Sequence, residues 1–217
     1  TTIIDGSQIA SVIRFEEDLG GIIDTTTLIS SFTIQNGYVG NGGFGGGIYC
    51  HSASPILVNV TITGNSAYSG GGIFFTDNSN SSIVNVNITN NGANQGHGSV
   101  GAGVYAINSS LSFENVTITG NTAVGPMGGG SGGGIRLQAN NQYQTTLTNV
   151  TIAENTATYR GGGIMVNGNI SLTNVTIYEN ELIGNEAGTN WDQNGAGMYI
   201  YSQSYVNLLN CVLLRNQ

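Results

Sequence analysis

Residues 45–65 read GGGIYCHSASPILVNVTITGN, and both halves of this stretch return along the chain. The first half, Gly-Gly/Ala-Gly-apolar, recurs as GGGIF (70–74), GAGVY (101–105), GGGIR (132–136), GGGIM (161–165) and GAGMY (195–199). The second, Asn-Val-x-Ile-x-x-Asn, recurs from Asn85, Asn115, Asn149 and Asn174, with the variant NCVLLRN from Asn210 and an early relative, SFTIQN, at Ser31. Equivalent residues lie 25 to 36 apart, the spacing of one supersecondary unit carrying loop insertions. Each block is short, β-branched and bounded by Gly or Asn, which suits a strand and not a helix.

Period-two alternation sorts the columns by side. Leu57, Val60 and Ile62, with their counterparts in each copy, are apolar and predicted to point inward, as are Ile48 and Cys50 in the glycine block. Thr61 and its counterparts are mostly polar and predicted to point out. Two Asn columns flank the second block, one beginning at Asn59 and the other at Asn65, and both are read as inner ladders of stacked amides. The glycines supply positive φ and close approach where each coil turns. A phosphate-cradling loop is the rival reading of these glycines, but no Lys follows them and no helical pattern begins there.

The expectation is therefore an all-β chain, a right-handed parallel β-helix (β-solenoid) of about 7–8 rungs, roughly 35 Å long at about 4.8 Å per rung. Residues 1–217 are read as a single β-solenoid domain, an excerpt or processed segment of a longer protein. Flat ends with no polar cap in the sequence suit end-to-end stacking.

Composition narrows the function. Charged residues make up 7% of the chain, lysine is absent, and 12 acids against 4 arginines give a net charge of −8. That balance argues against nucleic acid and anionic membrane surfaces as partners, and the apolar runs are too short for membrane insertion.

GGGI followed by Ile62-Thr63-Gly64-Asn65, Ile118-Thr119-Gly120-Asn121 or Ile177-Tyr178-Glu179-Asn180 resembles the chlamydial polymorphic outer-membrane protein repeat (Gly-Gly-x-Ile and Phe-x-x-Asn). More widely, it resembles bacterial secreted and surface right-handed parallel β-helix proteins. The likeness covers about residues 28–217, with Ile where that repeat has Phe. It implies an extracellular or cell-surface bacterial protein, commonly an adhesin or passenger segment.

The leading expectation is a non-enzymatic structural or adhesive β-solenoid, a fibre subunit in its sharper form. Its partners would be other copies of itself, or a host or cell-surface glycan or protein, and no cofactor is expected. The candidate binding or assembly surface is an outward column, Tyr49, Phe74, Tyr105, Arg136, Met165 and Tyr199, read as an exposed row able to stack on sugars or a partner. The alternative for that column is cross-strand packing alone. Trp191 joins the candidates from an insertion; insertions at 92–100, 122–131 and 181–194 are expected along one edge of the rod.

A carbohydrate-active lyase or hydrolase is the second reading. It needs clustered acids with a base, and the nearest cluster, Glu154, Glu179 and Arg215 in one column, is read as a surface ion ladder. His51 and His97 show no nucleophile spacing, and Asp5, Asp24, Asp77 and Asp192 fall at unrelated places. Ice binding is a third reading, suggested by Thr61/Thr63 and Thr117/Thr119 but interrupted at Asn87, Ala153, Tyr178 and Leu214. No metal site is expected. Cys50 and Cys211, about 24 Å apart along the axis, are expected as two buried free thiols. Asn80, Asn87, Asn108 and Asn169 are the expected accessible glycosylation sequons, whereas those at Asn59, Asn115, Asn149 and Asn174 are expected to be hidden in the ladder.

Overall fold

A computed structural model describes residues 2–16, 22–94, 96, 98–126, 129–184 and 194–217, without the side chain of Asn41. Among these residues there is no helix, and every strand pairing is parallel, as a solenoid requires. One coil shows the plan. Ile48–His51 lies in sheet 1, Ile56–Val58 in sheet 2, Thr61–Thr63 in sheet 3 and Ser66–Ser69 in sheet 4, before the chain enters sheet 1 again at Ile73–Thr76. In that order the sheets hold 7, 7, 8 and 6 strands. Corresponding residues of successive coils stand in register, so Ile48, Ile73, Val104, Ile135, Ile164 and Met198 form one continuous column.

Four sheets replace the simpler pattern suggested by two sequence blocks. The Asn-Val block divides at its first asparagine, where Asn59 has φ 54° and Asn85, Asn115, Asn149, Asn174 and Asn210 lie between 51° and 56°. Asn tolerates this left-handed conformation better than other side-chain-bearing residues, because its short amide bonds locally. The corner turns sheet 2 into sheet 3.

The expected columns line a single core. Leu57, Ile62, Ile48, Cys50, Phe75 and Phe113 are among its fully buried members. The two Asn columns separate, and here the sequence reading needs correction. The second is the inner ladder: Asn65, Asn91, Asn121, Asn155 and Asn180 are at most 1% exposed. Each Nδ2 donates to the next Oδ1 at 2.9–3.0 Å and also to an Ile carbonyl of the preceding coil. The same Oδ1 accepts a backbone N–H of the ladder asparagine one coil earlier, so one amide satisfies several groups that burial would otherwise leave unpaired.

The first column, expected inside, is exposed instead. Its amides pair on the outer surface, Asn149 Nδ2 with Asn115 Oδ1 and Asn174 Nδ2 with Asn149 Oδ1, both at 3.1 Å. The left-handed corner causes the difference, because it swings that side chain away from the core. The sequons at Asn59, Asn115, Asn149 and Asn174 are therefore on the surface, contrary to the sequence expectation.

Glycine serves two needs. Gly132 takes φ +67° as the chain enters sheet 1, a conformation that L side chains disfavour. Two residues on, a Cβ on Gly134 would fall 2.6 Å from the Gly163 carbonyl oxygen and 3.2 Å from Asn155 Nδ2. The constraint there is coil-to-coil approach beside the Asn ladder.

Candidate functional site

The outward column of sheet 1 runs Arg14, Tyr49, Phe74, Tyr105, Arg136, Met165, Tyr199 in register. The sequence reading placed these residues on one line but called the line exposed. Phe74, Tyr105 and Met165 are instead only 4%, 7% and 2% exposed, while Tyr49, Arg136 and Tyr199 are half-buried. On the way from sheet 4 back to sheet 1, Ser69, Val100, Ser131, Arg160 and Asn194 pair from coil to coil, and Val100 packs against Phe74 and Tyr105. Phe44, Val100 and Ile107 pack with Tyr49, Phe74 and Tyr105 into a second apolar cluster outside the main core. Sequence alternation identifies an outward side chain but is blind to a later segment that covers it.

The rings form one stack. Phe74 lies 4.7 Å from Phe44, 5.5 Å from Tyr49 and 5.3 Å from Tyr105 between centroids, and Tyr68 meets Phe44 edge-on at 6.3 Å. Arginines sit against this stack and beyond it. Arg14 lies 4.0 Å from the Tyr49 ring centroid, Arg136 5.5 Å from Tyr105, and Arg160 5.0 Å from Tyr199. Such contacts place a cation on the negative face of the ring. Burial raises the phenol pKa of both Tyr49 and Tyr105, and Arg14 and Arg136 respectively oppose that rise.

The arginines differ in their partners. Arg14 pairs with Glu16 and Arg215 with Glu179, the latter at 3.4 Å. Among the described residues no carboxylate pairs with Arg136 or Arg160. Arg160 Nη1 donates to the Tyr201 hydroxyl at 3.0 Å, and Arg136 Nη2 donates to Gln138 Oε1 at 3.2 Å. Arg136 Nε is buried and has no hydrogen-bond partner. A cleft of about 330 Å³ opens beside it, lined by Phe44, Tyr68, Ser69, Gly98, Val100, Tyr105 and Arg136.

Two other places carry polar chemistry. A cleft of about 370 Å³ at the turn between sheets 1 and 2 is lined mainly by amides, including Asn108, Gln138, Asn140, Asn167 and Gln203. At the N-terminal end of sheet 1, His51 Nε2 lies 3.1 Å from Asp77 Oδ2, and Glu16 is His51's register partner in the adjoining coil. Sequence reasoning treated His51 and Asp77 as unrelated. The available signal was the repeat itself, since Thr76 aligns with His51 and Asp77 follows it.

Of the acid column, Glu179 joins Arg215, while Glu154 stands exposed one coil away at φ 54°. The Thr rows occupy the outer face of sheet 3 with Asn87 and Ala153 among them. Asn80 and Asn87 are exposed, and Asn108 and Asn169 are half-buried. Cys50 is buried, and Cys211, expected to be buried, is only partly covered in the structure. Among the described residues no three His, Cys, Asp or Glu side chains group to hold a metal. Trp191, His97 and Asp192 lie outside the described residues.

Comparison with protein-family models, with curated proteins and with solved structures finds no match to this chain. What can be said of its class rests on its own coils: it is a parallel β-solenoid built on a stacked repeat.

Proposed function

We propose that the chain is a non-enzymatic structural and adhesive β-solenoid of the bacterial cell exterior, extended by end-to-end stacking of copies. One observation carries the stacking. The inward columns run in register from coil to coil without interruption, as from Val166 to Ile200, Leu172 to Leu208 and Ile177 to Leu213, so that one coil is a template for the next. Coil-on-coil contact of this kind, repeated between copies, is heterologous and builds an open filament. The surface location is proposed from the likeness of GGGI and Ile-Thr-Gly-Asn to the polymorphic outer-membrane protein repeat.

Sedimentation velocity of the native chain over a micromolar concentration series tests the stacking. Linear oligomers that grow with concentration and are abolished by Leu213→Glu are expected. A chain that stays monomeric throughout overturns it.

The His51–Asp77 pair beside Glu16 supports a second reading, acid–base attack on a polysaccharide. Product release from acidic or neutral polysaccharides, lost in His51→Ala, would replace the non-enzymatic reading.

A further inference from the structure

The cleft between Tyr68 and Arg136 combines what an acidic sugar needs. Its walls are Phe44 and Tyr68, set edge-to-face at 89°, with Tyr105 and Val100 behind them. Both Phe44 and Tyr68 keep part of their surface open to solvent, so a pyranose can lay its C–H face against a ring. About 330 Å³ accommodates a sugar unit and not an extended polymer within the cleft itself. Gly98 lets the Tyr68 ring lie against the backbone at this wall, since a Cβ there would collide with the Tyr68 hydroxyl oxygen.

Charge selects the ligand further. In a chain of net charge −8, this cleft is lined by a cation and by no acid. Arg14, on the same column, is already neutralised by Glu16, whereas among the described residues no carboxylate pairs with Arg136, whose Nη2 donates to the neutral Gln138 Oε1. A guanidinium held this way has directed donors for a planar or tetrahedral oxyanion. Neutral saccharides would leave that charge unanswered.

We infer that this cleft binds an acidic glycan, its carboxylate or sulfate on Arg136 and the apolar face of its ring on Phe44 and Tyr68. The inference names a ligand class for the adhesive reading and does not depend on end-to-end stacking, so it is tested in the Leu213→Glu background, where filament growth is removed.

Binding of the full chain is measured by isothermal titration with oligogalacturonate as the carboxylate probe, dextran sulfate as the sulfate probe and maltohexaose as the neutral control. One or both acidic probes are expected to bind, with maltohexaose inert, and which acidic probe binds identifies the anion. Arg136→Gln is expected to weaken binding at least about tenfold, the loss of one charge-assisted contact. Gly98→Ala, which drives a methyl against Tyr68, should weaken it in the same sense. Arg215→Gln, on a different face, should leave it unchanged. Circular dichroism establishes that each variant is folded, and Tyr68→Ala replaces Arg136→Gln if the latter is not. Undiminished affinity in the folded cleft variants, equal affinity for maltohexaose, or no binding of either acidic probe at millimolar concentration overturns the inference.

Discussion

At the scale of single residues, the inner asparagines matter most because each serves three coils. Asn121 accepts from the Asn91 backbone N–H and side chain, and donates to Asn155 Oδ1 and to the Ile88 carbonyl. Asn121→Ala would leave buried groups unpaired in both neighbouring coils, at a cost of about 3 kcal/mol in urea denaturation. Asn121→Asp should cost more at neutral pH, since it keeps the acceptor but turns a buried carboxylate toward the oxygens of Asn155 and Ile88. An aspartate variant as stable as native would show that the ladder is not satisfied in the direction described. Glu154 makes the opposite case. It is exposed and held at φ 54°, at the turn where other coils have Gly64 (φ 65°) and Gly120 (φ 65°). Glu154→Gly should therefore stabilise the chain by about 0.5–1 kcal/mol, read as an upward shift of the thermal midpoint.

At the scale of the element, the glycine block is an entry turn joined to a strand that must lie close to its neighbours. Gly134→Ala, with a Cβ 2.6 Å from the Gly163 oxygen, pushes two coils apart beside Asn155. We expect a loss of about 2–3 kcal/mol, the range for overpacking a close-packed core. Hydrogen exchange resolved by residue should show faster exchange at Ile135 and Ile164, whose amides bond to the next coil, and unchanged exchange several coils away. Uniform loosening along the rod would contradict nearest-neighbour stacking. The strand pattern shows how far sequence carries an element. Inward positions such as Val60 and Ile62 were legible from alternation alone. The division at Asn59 was not, because only backbone geometry shows that this asparagine turns a corner instead of joining the ladder. The short strands of sheet 4, such as Thr122–Ala123, had no sequence signal of their own. They form because the coils above and below supply partners.

At the scale of the whole molecule, coverage by later segments and by neighbouring coils decides chemical accessibility. Cys50 is wholly buried, and burial pushes its thiol far above the usual range, whereas Cys211 is partly open in the last coil. A thiol reagent at pH 8 should modify one cysteine in the folded chain and both only after unfolding. If Cys211 is protected at concentrations where stacking occurs and reactive in Leu213→Glu, the thiol also reports the end contact.

The repeat, read by itself, determined the all-β solenoid, the inward columns and the second asparagine ladder, because each rests on local periodicity and on contacts between equivalent residues of successive coils. It also placed Tyr49, Phe74, Tyr105 and Arg136 on one line. Only the tertiary structure decided that the middle of this line is buried and that the cleft beside Arg136 is bounded by Tyr68 and Phe44. Those contacts join residues at different positions of the repeat through loops of unequal length, and periodicity holds no information about where such loops fold back.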